Sequence, residues 1–260
     1  MKILLSIIVL LLTLQSSGQS INEIRQLLAE KDFKVFKKYT NISSNSNVTV
    51  IWLFNRDITP SFQECVIDID ESFSSENNSD NSTLQHYRIN ILAKSNEIIY
   101  YDFALNENNN SVWDVLTFKI LDSFRNEKLL TALKQDFYKT YNDSLHQQEL
   151  FDNSNVYGYS CKIARIKPKL RKENDLLVQN KDSAILTNWL KSTNTEKQVY
   201  GIDGLYQLKI NGYKFTAEQL QLIKIIKSKK GTIFTCDGCV NSSLKISKVV
   251  KAILSGHPIL

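Results

Sequence analysis

The spacing of apolar residues changes along this 260-residue chain, and the change limits its architecture more than any single motif. In the first half Tyr87, Ile89 and Ile91 interleave with His86, Arg88 and Asn90. A period of two suits a strand with one dry and one wet face. In the second half the period lengthens to three or four and helix-start signatures appear. Thr216 with Gln219 reads as a capping box, and Phe215 precedes Leu220 in hydrophobic-staple register. The pattern predicts an α+β chain: an N-terminal antiparallel sheet with helices, then a small all-α C-terminal helical array.

In more detail, residues 21–39 read as one amphipathic helix, and 48–54 and 65–69 as strands. Residues 84–93 and 98–105 form a hairpin around Lys94-Ser95-Asn96-Glu97. From Ser111 the apolar positions Val112, Val115, Leu116, Phe118 and Leu121 fit a helix, and Leu129 to Tyr138 a second one. Pro168 argues against a continuous helix through the irregular stretch 152–180. Helices are expected over 184–191, from a capping box at Thr195 and Gln198 to Asn211-Gly212, after Thr216, and over 243–254.

Charge divides the chain. Residues 20–160 carry 13 Lys and Arg against 20 Asp and Glu, whereas residues 161–260 carry 18 against 7. Such asymmetry marks organisation. It suggests an acidic α+β domain over 20–151, a basic connector over 152–181, and a basic helical domain over 182–260 that holds a Cys-x-x-Cys.

Residues 1–19 have the form of a cleavable signal peptide. Lys2 is the charged start, residues 3–14 are the apolar run, and Gln15-Ser16-Ser17-Gly18-Gln19 is the small polar end. About a dozen apolar residues are too few to span a bilayer core, which takes roughly 20. The expected product is exported, periplasmic or extracellular, with no transmembrane span after cleavage. Export argues against nucleic acid as the partner of the basic half. It leaves an unknown protein or envelope partner and peripheral contact with an anionic envelope surface.

Residues 186–226, with Thr195-Glu196-Lys197-Gln198-Val199-Tyr200-Gly201 entering a helix and Leu205 on its face, resemble one HEAT-type helical repeat. The resemblance implies paired helices and protein binding. It assigns no functional residue, and a solenoid needs at least about three such units.

Cys236-Asp237-Gly238-Cys239 is the one motif with chemistry in its spacing. Two cysteines ahead of a helix form a redox pair when the helix end lowers a thiol pKa, in the manner of thioredoxin-like enzymes. That fold needs more chain than the 21 residues that follow. Zinc needs four ligands; Cys65, Cys161, His86, His146 and His257 are the other donors, without a second pair at ligand spacing. Haem attachment is excluded by Val240. In an exported chain the four cysteines are disulfide candidates with three possible connectivities. Cys236–Cys239 with Cys65–Cys161 is the preferred one. Tyr159-Ser160-Cys161 lacks the context of a cysteine nucleophile. Asp68, Asp70 and Glu71 lack the Gly and Glu of a calcium loop. Trp52, Trp113 and Trp189 fall beside apolar faces and read as core. Hydrolase and phosphate-loop signatures are absent. The sequence therefore reads as an exported binding or structural envelope protein without catalytic activity, cofactor or metal. The alternative is an envelope thiol–disulfide protein using Cys236 and Cys239.

Overall fold

A computed structural model describes residues 20–41, 47–74, 82–107, 117–161 and 164–256. The leader, Trp113 and His257 lie outside them. Helix α1 (Ile21–Glu30) opens on a reciprocal cap between Ser20 and Glu23. It stops at Lys31, which is left-handed at φ 61°. Asp32 then caps α2 (Phe33–Thr40) through the N–H of Val35. The single helix expected over 21–39 is thus two, because a new cap at Asp32 redirects the chain and lets both apolar stripes face one sheet.

That sheet has five antiparallel strands in sequence order: β1 (Val48–Asp57), β2 (Phe62–Ser74), β3 (Ser82–Lys94), β4 (Glu97–Asn106) and β5 (Phe118–Arg125). The β3–β4 hairpin turns where the sequence places it, with Ser95 at φ 56°. Of the first helix expected after Ser111, Val112, Val115 and Leu116 lie outside the described residues, while Phe118 and Leu121 stand in β5 instead. Phe118 pairs with Asn106 and Ile120 with Ala104, so the neighbouring strand decides a stretch too short for its periodicity to settle. α3 (Glu127–Tyr141) follows, capped by Asn126.

One face of the sheet is dry. Ile67, Ile69, Ile89, Ile91 and Phe103 pack with Ile24, Leu28, Phe33 and Phe36 of the two N-terminal helices. Trp52 lies edge-on to Phe33 and Phe36. At one end of the opposite face, Ile58, Phe62, Leu92 and Ile99 join α3 and the C-terminal half in a second core. A bulge in β4 makes this possible. Leu92 pairs with Tyr100 and Ala93 with Ile98, leaving Ile99 as the extra residue. Ile98 then serves the first core and Ile99 the second.

The C-terminal half is not purely helical. It holds α4 (Lys169–Gln179), α5 (Ser183–Leu190), α6 (Thr195–Ile210), α7 (Ala217–Ser228) and α8 (Ile246–Leu254). With them stands a three-stranded sheet of β6 (Tyr157–Cys161), β7 (Thr232–Gly238) and β8 (Val240–Lys245), in which β6 runs parallel to β7. Residues 157–161, expected in a connector, form an edge strand of this sheet. Residues 240–245 are strand, and the last helix begins only at Ile246. Pro168 stands at the N-cap of α4, where a missing N–H costs nothing. The capping box at Thr216 is present. At α6 Asn194 is the cap, and Gln198 turns back to the carbonyls of Leu190 and Ser192. No described helix is long and apolar enough to cross a membrane.

Candidate functional site

The two cores meet at a buried charge cluster. Arg56, at the end of β1, bonds through Nε to Glu64 at 2.8 Å and through Nη1 to both oxygens of Glu196 at 2.7 Å. All three side chains are shielded from solvent. Burial works against the guanidinium charge, but the two carboxylates outweigh it and keep Arg56 ionised. Burial raises the Glu196 pKa against the pull of Arg56. Lys229 lies in the same interior and donates to Gln198 at 2.8 Å. Its pKa falls to about 7 through burial and then repulsion from Arg56. Arg56, Glu64 and Glu196 hold the sheet to the C-terminal half and are closed to solvent.

A second enclosed cation, Arg171, donates to Asp203 and to the carbonyl of Gly158 and faces the rings of Tyr159, Tyr200 and Tyr157. Beside it the disulfide joins Cys161 to Cys236, with Cα atoms 5.4 Å apart. β6 and β7 lie side by side there, and a Cβ on Gly158 would overlap Cys236. The preferred pairing of Cys236 with Cys239 and Cys65 with Cys161 is therefore corrected. Cys236 faces inward across the sheet to Cys161, whereas Cys239 sits exposed in the β7–β8 turn. Cys65 is buried in the dry face beneath α1 and α2, where burial, then Glu64, pushes its thiol pKa well up.

Of the other sequence candidates, Asp68, Asp70 and His86 come together on the second face of the sheet. His86 Nδ1 lies 2.6 Å from Asp70, and Arg88 grips Asp68 by two bonds of 2.7 and 3.0 Å. Glu71 points to the opposite face and accepts from Tyr87, as strand alternation requires. The ladder is already paired by its own Arg and His, and no metal-type cluster of His, Cys, Asp or Glu occurs among the described residues. His146 lies apart, its N–H donating to Thr193. Trp189 is core, as expected.

A cleft able to take an apolar group is built from residues that carry no motif. It opens where β4 and β5 meet α3 and the segment 145–151, and encloses about 180 Å³. Leu92, Leu130, Leu133 and Leu145 give it apolar walls. Tyr100 stacks on Phe151 with ring centroids 5.7 Å apart and planes 17° from parallel. Arg125 and Lys134, both exposed, bring positive charge to the rim, together with Glu127. The wall is fixed from behind. Phe151 donates its N–H to the buried Glu64 at 2.9 Å. Glu149 accepts from Ser192, the N–H of Thr193 and Lys197; burial opposes its charge, but these donors prevail and lower its pKa.

Phe151 stands at φ 61°, a backbone region costly for a bulky side chain, on the order of 1–3 kcal/mol. Its N–H bond to Glu64 and the ring of Tyr100 hold it there. Tyr100 donates to Asp102 at 2.7 Å, which connects the cleft to the polar ladder. Burial, then Asp102, pushes the Tyr100 hydroxyl away from ionisation. The cleft can therefore hold a small apolar or aromatic group and place an anionic neighbour against Arg125 and Lys134. No protein-family model matches the chain, and no curated protein or solved structure does so.

Proposed function

We propose that this chain is an exported binding protein whose cleft captures one apolar or aromatic side chain of a partner, next to a carboxylate on that partner. The cleft itself carries the reading. Its 180 Å³ is close to the ~150 Å³ of a dry cavity that admits a benzene ring, so it suits one anchor residue. Interfaces draw most of their affinity from such buried anchors. Pre-fixed walls add to it, because little order is lost on binding. Tyr100, the one hydroxyl among the named lining groups, is tied to a carboxylate and held protonated, the reverse of an activated nucleophile. Export is supported by the Cys161–Cys236 bridge, a bond that persists in oxidising compartments.

Selection of displayed peptides on the wild-type chain, with Leu130→Trp as counter-selection, tests the proposal. Recovered sequences should share an aromatic or branched apolar residue next to Asp or Glu. Equal recovery on the filled cleft would end this reading.

One observation favours thiol exchange as a second reading: Cys239 is free and exposed three residues after the bridged Cys236. In such an exchange the Cys239 thiolate attacks Cys236 Sγ and releases the Cys161 thiolate. Alkylation and mass mapping decide it. A static bridge leaves Cys239 as the native-state label and adds Cys65 on denaturation without reductant. Labelled Cys161 in the native protein would establish exchange.

A further inference from the structure

The segment 219–256 has seven lysines and one acid, Asp237. Six of the seven lysines (224, 227, 230, 245, 248 and 251) are exposed. The ion pairs formed among the described residues involve none of them. Elsewhere in the same half the lysines at 167, 191 and 197 are paired with carboxylates at 2.7–2.8 Å. An unpaired cationic surface of this density costs repulsion in the free protein.

At its centre lies a second cleft of about 370 Å³, within the size range of small-molecule sites. Ser228, Lys230, Gly231, Thr232, Lys245 and Ser247 line it. The side chains are hydroxyls and ammonium groups, with no carboxylate. Lys229 belongs to the same wall but directs its amine inward to Gln198. The geometry is held firmly. Gly231 adopts φ 99°, and a Cβ there would overlap the backbone of Asn55 and Arg56. Lys230 donates its N–H to the Asp57 carboxylate at 2.7 Å, which also attracts the Lys230 charge, and accepts from the N–H of Asp57 at 3.1 Å. Gly231 accepts from the N–H of Ile246. This last bond places the start of α8, which has no side-chain cap, beside the cleft and adds to its positive potential.

We propose that this cleft binds a phosphate group, with Lys230 and Lys245 neutralising its charge and Thr232 and Ser247 donating to its oxygens, while Ser228 gives its proton to the Ile225 carbonyl. A phosphate offers many acceptors in a small volume, which matches a lining that can only donate or share hydroxyls. The charge could come from a soluble phosphate or from a phospholipid headgroup, and two probes separate them. Calorimetric titration of the full chain with inorganic phosphate reports the first. Cosedimentation with vesicles of phosphatidylglycerol and phosphatidylcholine, against phosphatidylcholine alone, reports the second. At least one probe should bind, more weakly as salt screens the charges. The exposed double variant Lys230→Gln/Lys245→Gln should lose at least tenfold in affinity, and Lys224→Gln/Lys251→Gln, outside the cleft, less than twofold. Failure of both probes at low salt, or equal losses in the two double variants, would overturn the assignment.

Discussion

The two faces of the five-stranded sheet follow different rules. One is covered by α1 and α2 through mainly apolar contacts, edged by two backbone bonds at Lys31 and Phe33 and by Arg25, Lys31 and Lys37 over aromatic rings, and its Cys65 is deeply buried. The other is divided. Its near end joins the C-terminal half through Arg56, Glu64 and Glu196, its far end carries the ladder from Asp102 to His86, and the cleft lies at the margin. The dry face supplies stability that is tolerant of like-for-like packing changes. The mixed face supplies geometry, because a buried ion pair specifies one arrangement and penalises its loss. The position of the cleft depends on that arrangement, since Glu64 binds both Arg56 and the N–H of Phe151.

The sharpest break comes from Glu196→Ala. It leaves the buried Arg56 with Glu64 alone and its Nη1 unpaired, and should cost about 3–5 kcal/mol in urea unfolding. Phe36→Ala on the dry face removes a fully buried ring and should cost a similar amount, about 3–5 kcal/mol. Under folding conditions it should leave the cleft unchanged. If Phe36→Ala alters ligand binding as much as stability, the division of labour between the faces is wrong. A smaller effect is expected from pH. Lys229 titrates near 7 in the folded chain, whereas an unfolded lysine holds its proton to about 10.4. Between those values the unfolded state binds more protons, so this residue makes stability rise with pH, by at most about 1.4 kcal/mol per unit. Lys229→Met should flatten that slope in denaturation curves taken from pH 7 to 10. An unchanged slope would show that the amine is solvated.

The sequence disclosed what local rules control. The Ile89 and Ile91 alternation, the Lys94–Glu97 turn and the Thr216 cap are all present. It misled where partners distant in sequence decide. β5 is a strand because Ala104 and Asn106 pair with it, and Asp32 starts a helix inside a periodicity that runs through it. The basic half was read as helical because residues 232–245 are too short and mixed to declare two strands. Cys236 and Cys239 are only three positions apart in sequence, yet Cys236 points from β7 to Cys161 in β6 while Cys239 sits in the turn. The cleft was not legible, since Leu92, Tyr100, Arg125, Leu133 and Phe151 come from five separate segments. The buried Arg56–Glu196 pair spans 140 positions and joins the halves that charge alone sets apart.

The central claim, that the cleft beside Tyr100 and Arg125 is an anchor site, is tested most directly by methyl NMR with phenylacetate, a ring bearing one carboxylate. Saturable shifts should concentrate on Leu92, Leu130, Leu133, Leu145 and Leu150, vanish in Leu130→Trp and weaken severalfold in Arg125→Ala. That last change lies on the surface and should alter stability by no more than about 0.5 kcal/mol. Absent shifts, or shifts that persist in Leu130→Trp, would contradict the claim.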